Sequence, residues 1–157
     1  MPSWKQAFRE GVVSGSCASL LSAAYLAWAG HRRGQPAAPV NAVSHWFFGE
    51  RSLRQDAASL RYTLTGYLTH HAAAIFWGTL HAKAWGARAE AKEPVAAVGG
   101  AVTAAAVACF VDYQLTPKRL TPGFEHRLGR PEMAKVYAFF ALGLAVGTLV
   151  MKRGARG

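Results

Sequence analysis

The sequence predicts an all-α integral membrane protein, a four-helix bundle with a short interfacial or re-entrant element between its first and second helices. Two features of composition lead to this prediction. Charged residues make up 17% of the chain and hydrophobic residues 52%, whereas ordinary soluble domains carry about 25% charged residues. The charges are also absent from four long windows and lie between them. Because 157 residues suit a single domain, residues 1–157 are expected to form one transmembrane domain.

The four charge-free windows cover residues 11–30, 62–82, 94–111 and 136–151 and contain 20, 21, 18 and 16 residues. A helix needs about 20 apolar residues to cross the hydrocarbon of a bilayer, and about 17 is the lower limit. Met133 and Ala134 complete the fourth window, since the amine of Lys135 can reach the head groups. We therefore expect transmembrane helices at about 11–30, 62–82, 94–111 and 133–151.

Two other interpretations of these windows are weaker. A soluble four-helix bundle would show a polar face recurring every 3.6 residues, and the windows contain no charged face. A cleaved signal peptide would use Lys5 and Arg9 before the first window and the stretch AWA at 27–29 as its cleavage site. The first apolar run is longer than the 7 to 15 residues typical of such signals. Cys17 and Cys109 lie inside windows, and no disulfide is expected.

The net charge of +10 is explained by lysines and arginines that flank membrane helices and meet anionic head groups. No segment between the windows is long enough for a basic nucleic-acid-binding module, so no nucleic acid partner is expected. Four spans put both termini on one side, here side A, and the two longer connections on side B. Side A carries 8 lysine and arginine residues and side B carries 10. Because these counts are nearly equal, the positive-inside rule hardly distinguishes the two orientations in the membrane. Cytoplasmic termini are the expectation.

The first side-B connection contains an apolar segment, residues 40–49, that is too short to cross a bilayer. It suits an interfacial or re-entrant element with its aromatic residues at the head-group level. Immediately after it, Leu53, Ala57 and Leu60 share one helical face, with charged residues on the others. This pattern predicts a short amphipathic helix on the membrane surface.

Small residues spaced four apart allow membrane helices to approach closely. The first predicted helix carries such a row at Gly11, Gly15, Ser19 and Ala23. The fourth predicted helix carries a glycine pair with the same spacing, Gly143 and Gly147. The row could pack helices within one bundle, or it could serve a homo-oligomer or a larger membrane complex.

Histidines in the second predicted helix are the candidate functional groups, because ionisable residues at membrane depth usually face a protein interior. Adjacent helical side chains diverge by about 100°, so only His70 or His71 can be central to one site. Polar residues of side B could join it. The predicted polar cluster comprises Asn41, His45, His70 or His71, and Asp112. The alternative is that these side chains only satisfy hydrogen bonds between helices.

No cofactor is predicted. A bis-histidine haem needs ligands from opposed helices, and the other three windows contain no histidine. A zinc site needs His and Cys ligands at close spacing, which the chain lacks. No catalytic residue is predicted either, because the sequence has no Ser-His-Asp context, glycine-rich phosphate loop or paired carboxylates.

Several stretches resemble a family of small, uncharacterised bacterial inner-membrane proteins: APVNAVSHWFFG at 38–49, RYT at 61–63, HH at 70–71, VDY at 111–113 and LTPGFE at 120–125. The resemblance implies a location in the bacterial inner membrane and no activity. We expect a non-enzymatic accessory, assembly or oligomer-forming protein of the bilayer. One alternative is a small transporter or channel subunit that uses the histidine and aspartate cluster, and another is a haem-binding or metal-binding redox protein.

Overall fold

The computed structural model describes residues 1–154, with side chains described as far as Met151. Every regular element in this part of the chain is helical. The α-helices are α1 (Trp4–His31), α2 (Ala38–Val43), α3 (His45–Phe48), α4 (Thr65–His81), α5 (Pro94–Phe110) and α6 (Arg130–Gly154). The prediction of an all-α fold is therefore confirmed.

Three helical segments are long and apolar enough to cross a bilayer: Trp4–His31, Pro94–Leu115 and Arg130–Met151. They correspond to the first, third and fourth predicted spans. The second predicted span contains α4, which has 17 residues. One π-helical turn precedes α4 at Leu60–Leu64 and another follows it at Ala82–Gly86. Helical structure therefore continues over residues 60–86.

The first and last helices extend beyond their predicted bounds. The helix α1 begins at Trp4, seven residues before the predicted start at residue 11. Its N-cap is Ser3, whose hydroxyl accepts a hydrogen bond from the backbone N–H of Gln6 at 3.1 Å. In the same way α6 begins at Arg130 and continues to Gly154. The charge-free windows mark the segment that lipid can cover, and a helix can continue past it through residues such as Lys5 and Arg9.

The central helix of the fold is α1, which packs closely against both α4 and α6, while α5 packs mainly against α6. The helices α1 and α4 run in opposite directions, because Gly11 of α1 lies against Thr79 of α4, whereas Gly15, one turn later in α1, lies against the earlier residue Ala74. Contacts between α4 and α5 are few. The long helices therefore follow the spatial order α4, α1, α6, α5, with a gap between the first and the last.

The apolar segment at 40–49 forms the two short helices α2 and α3. All of α2 is buried, and it packs against α4, α1 and the turn at Phe124–His126. Gly49, with φ of 61°, ends α3 in a conformation that favours glycine. The segment thus folds inward over the side-B end of the long helices.

The predicted amphipathic surface helix around Leu53, Ala57 and Leu60 is wrong. A 3₁₀ helix covers Gly49–Arg54, the backbone is extended at Ser59, and the next helical turn begins only at Leu60. The carbonyl groups of Gln55 and Ala57 accept hydrogen bonds from the side chain of Asn41. These tertiary contacts replace the internal hydrogen bonds that a helix would have needed.

Candidate functional site: an apolar cleft between α4 and α5

The gap between α4 and α5 contains a cavity of about 750 Å³ toward side B. Most of its lining is apolar, and it includes Val43, Trp46, Leu68, Phe76, Trp77 and Phe140. Leu68 is 55% exposed and Phe76 is 57% exposed, so the cavity opens sideways, between the two helices. We refer to it as the cleft.

A second cavity, of about 550 Å³, continues the gap toward side A. It is lined by Leu80, His81, Trp85, Thr103 and Ala104, and it shares Trp77 with the cleft. Trp77 therefore divides the gap between α4 and α5 into two chambers, one near each end of the helices.

A histidine and a carboxylate line the cleft at two different points. The first is His70, whose Nε2 lies 2.8 Å from the hydroxyl oxygen of Ser22 on α1. Because that hydroxyl donates to the carbonyl oxygen of Ala18 at 2.7 Å, its oxygen is left to accept a hydrogen bond from His70. The pair joins α4 to α1 at the base of the cleft.

The second polar point is Asp112, in the π-helical turn at Val111–Leu115 that continues α5. The hydroxyl of Tyr137 on α6 donates to Oδ2 of Asp112 at 2.6 Å, and both residues line the cleft. The predicted residues His70 and Asp112 are thus brought to one cavity, each with a hydroxyl partner from a neighbouring helix.

His71 does not line the cleft. Its Nδ1 lies 3.0 Å from the hydroxyl of Ser19 and its Nε2 lies 3.4 Å from that of Ser16, both on α1. The hydroxyl of Tyr67 approaches Nδ1 at 3.4 Å. His71 is therefore part of a separate polar contact between α4 and α1.

Asn41 lies at the side-B end of the fold and is fully buried. Its amide group donates to the carbonyl oxygens of Gln55 at 2.9 Å and Ala57 at 3.0 Å. Its amide oxygen accepts from the hydroxyl of Thr63 at 2.6 Å. With these bonds Asn41 holds the irregular segment between α3 and α4 against α2, and it does not line the cleft.

His45 is also buried and outside the cleft. Its Nδ1 donates to the carbonyl oxygen of Ala42 at 2.9 Å, which leaves Nε2 as an acceptor. Within the described part of the chain, Nε2 has no hydrogen-bond partner. Gly123, with φ of 96°, packs so closely that a Cβ there would lie 2.6 Å from Nδ1 of His45.

The five predicted residues therefore occupy four places. His70 and Asp112 share the cleft, while His71, Asn41 and His45 each contact a different part of the fold. The residues missed from the sequence are the hydroxyl partners Ser22 and Tyr137. A signal for them existed, because serines recur through the charge-free window of α1 at positions 14, 16, 19 and 22, and three of them face the histidines of α4.

The predicted packing glycines make contacts inside the chain. A Cβ at Gly15 would lie 2.6 Å from the carbonyl oxygen of Ala74 on α4. Cβ atoms at Gly143 and Gly147 would collide with the backbone of α1 at Ala18 and Ser14. Of the same row, Gly11 and Ser19 are buried and Ala23 is partly buried.

No three His, Cys, Asp or Glu side chains among the described residues are grouped so that they could hold a metal ion. Both Cys17 and Cys109 are free thiols. Comparisons of the chain with protein-family models, curated proteins and solved structures found no match. The fold and the cleft thus define a helical protein with three segments able to span a membrane, and its more specific assignment comes from the geometry alone.

Proposed function

We propose that this protein is a multi-pass protein of the bacterial inner membrane in which α1, α4, α5 and α6 all span the bilayer as a four-helix bundle. In this proposal it is a non-enzymatic accessory protein that binds an apolar or amphipathic membrane molecule in the cleft. The observation that carries the proposal is the cavity of about 750 Å³ between α4 and α5, apolar and open at the side. Ligand cavities of roughly 300–1,000 Å³ with a few polar groups are typical binding sites.

The outer surface of α5 supports a position in lipid. Val95 is 87% exposed, Val102 is 54% exposed and Phe110 is 57% exposed. Contiguous apolar surface of this kind is rare on monomeric proteins in water, whereas hydrocarbon covers it without cost. The exposed side of the cleft then faces lipid, so a membrane molecule can enter it by lateral diffusion.

Binding in the cleft is better supported than assembly through the small-residue rows. Gly11, Gly15, Gly143 and Gly147 pack against neighbouring helices of the same chain, so these surfaces are not available to a partner. A homo-oligomer or larger complex would have to use other exposed apolar surfaces, such as the outer face of α5.

The test is to fill the cleft. Ala73 lines it, and Ala73→Trp would place an indole ring in the space proposed for the ligand. Ala106→Trp is the matched control, because Ala106 is exposed on α5 and does not line the cleft. Native mass spectrometry of the purified protein should show bound lipid or another apolar adduct in the wild type and in Ala106→Trp, and its loss in Ala73→Trp. Equal adducts in all three proteins would contradict the proposal.

A small transporter is the second candidate function. The observation that favours it is that His70 and Asp112 line the same cavity, since ionisable residues inside membrane proteins often mark proton or ion pathways. In proteoliposomes, a proton or ion flux that His70→Ala abolishes and Ala106→Trp preserves would favour this function over simple binding.

A further inference from the structure

The side-B mouth of the cleft is bordered by a basic turn. Thr116 and Leu120 line the cleft, and Leu120 ends the 3₁₀ turn at Lys118–Leu120, which packs beside α3. Lys118 and Arg119 are exposed and form no ion pair within the described part of the chain. Two unpaired cations therefore lie next to the opening of an apolar cavity.

The nearby carboxylates are already occupied. Asp112, inside the cleft, accepts a hydrogen bond from Tyr137. Glu125 accepts from the hydroxyl of Thr121 and the backbone N–H of Gly123, both at 2.6 Å. Neither carboxylate forms an ion pair with Lys118 or Arg119 in the described part of the chain, so both cations remain available to an anionic group at the mouth.

The depth of the cleft matches one leaflet of a bilayer. Along α4 its lining extends from Thr65 to Trp77, and a rise of 1.5 Å per residue gives about 18 Å for these twelve steps. Half of a hydrocarbon core about 30 Å thick is about 15 Å. The side-B chamber can therefore hold an acyl chain from head-group level to the bilayer centre, where Trp77 closes it.

We infer that the cleft binds an anionic phospholipid of the side-B leaflet, with one acyl chain between α4 and α5 and its phosphate beside Lys118 and Arg119. This inference rests on the proposed function, because it names the molecule that the cleft would hold. A phospholipid fits because the cleft opens sideways to lipid, as Leu68 and Phe76 show by their exposure, and because an anionic head group complements the two free cations.

The experiment uses the full chain reconstituted in phosphatidylcholine vesicles with a trace of phosphatidylglycerol that carries a diazirine in the middle of one acyl chain. Photolysis should label peptides from residues 68–77 and 108–120. Each cation near an anionic head group contributes to the binding free energy. Losing both cations should therefore raise the phosphatidylglycerol fraction needed for half-maximal labelling roughly 30-fold. The test variant is Lys118→Gln/Arg119→Gln. Lys5→Gln/Arg9→Gln removes the same charge from exposed residues of side A and should leave the labelling unchanged.

The outcomes separate this inference from the proposed function. Equal labelling of the cleft by a diazirine phosphatidylcholine, with no effect of Lys118→Gln/Arg119→Gln, would overturn the anionic head-group site while leaving a lipid-binding cleft. Labelling by a diazirine fatty acid but not by the phosphatidylglycerol would overturn the choice of a phospholipid. Absence of labelling in 68–77 and 108–120 with every probe would overturn the proposed function itself.

Discussion

At the scale of single residues, Asn41 shows how a buried polar side chain fixes an irregular backbone. Its amide makes three hydrogen bonds, to the carbonyl oxygens of Gln55 and Ala57 and from the hydroxyl of Thr63. Each intramolecular hydrogen bond of this kind contributes about 1 kcal/mol to stability. Asn41 therefore contributes to stability through the segment between α3 and α4, which lacks helical hydrogen bonds of its own.

Replacement of this amide should destabilise the fold. Asn41→Ala is expected to lower the free energy of unfolding by about 3 kcal/mol, because three hydrogen bonds of a fully buried side chain are lost and each contributes about 1 kcal/mol. Asn41→Asp should cost at least as much, since it directs a carboxylate oxygen toward the carbonyl oxygens of Gln55 and Ala57. Unfolding in mixed micelles of rising SDS content measures both changes.

The control for this prediction is Gln114→Ala, which removes an exposed amide from the same side of the molecule. Surface substitutions of this kind change stability by less than about 0.5 kcal/mol. A loss for Asn41→Ala no larger than that of the control would show that the hydrogen bonds around Asn41 are replaced by water without cost.

The sequence was informative about which residues need polar partners but not about which partners they find. His70 and His71 were recognisable because imidazoles in a charge-free helix must be satisfied by protein. Their actual partners, Ser22 for one and Ser16 with Ser19 for the other, depend on the rotation of α1 about its axis. That rotation is set by the packing of glycines, which composition and spacing alone do not determine.

At the scale of elements, α6 packs closely against α1 through two glycines. Gly143 and Gly147 stand where any Cβ would enter the backbone of α1, so these two helices approach as closely as their main chains allow. Membrane helices gain association energy from such packing because lipid gives no hydrophobic driving force between them. Without these glycines, α1 and α6 could not reach this separation.

An added methyl group tests this contact. Gly143→Ala should lower the free energy of unfolding by about 1–3 kcal/mol, because overpacking moves α6 away from α1. The matched control is Gly99→Ala on α5, where a Cβ would meet no atom within 4 Å and the substitution should be neutral or slightly stabilising. SDS-induced unfolding of the two variants provides the comparison. If Gly143→Ala proves as stable as Gly99→Ala, the close approach of α1 and α6 is not needed.

The sequence predicted best those helices whose position depends on one physical effect, the exclusion of charge from hydrocarbon. Charge-free windows located α1, α5 and α6 because hydrocarbon excludes charge over a fixed thickness. The amphipathic pattern at Leu53, Ala57 and Leu60 failed because it describes a helix on an isolated surface. In the folded chain the carbonyl groups of this segment bond to Asn41, and Asp56 pairs with Arg127, so side-chain contacts decide its conformation.

At the scale of the whole molecule, the gap between α4 and α5 follows from the order of the helices. The helix α1 lies between α4 and α6, and α5 lies on the far side of α6. The bundle is therefore not closed between α4 and α5, which make few contacts with each other. Large residues at the gap, such as Trp77 and Phe76, line it without filling it. This opening was not predictable from the sequence, because the windows give the number of helices and not their neighbours.

The packing also brings the amino-terminal segment and the connection between α4 and α5 together. Lys92, between α4 and α5, forms an ion pair with Glu10 of α1, and their side chains are 13% and 11% exposed. The amine of Lys83 donates to the backbone oxygen of Pro2 at 2.7 Å and lies 5.0 Å from the ring centre of Trp4. The amino-terminal segment and the connection after α4 thus meet at one end of the molecule, as the antiparallel packing of α1 and α4 requires.

This arrangement makes a sharp prediction about membrane topology. In a Cys17→Ala/Cys109→Ala background, single cysteines at the exposed positions Ser3, Ala58, Ala89 and Gln114 should react with a membrane-impermeant maleimide in two groups. Ser3→Cys and Ala89→Cys should be labelled only in inverted inner-membrane vesicles, if the termini are cytoplasmic. Ala58→Cys and Gln114→Cys should be labelled only in intact spheroplasts, because α4 and α5 then carry the chain across and back. Labelling of Ala58→Cys and Ala89→Cys from the same side would mean that α4 does not cross, and a cleft facing lipid between α4 and α5 would be excluded with it.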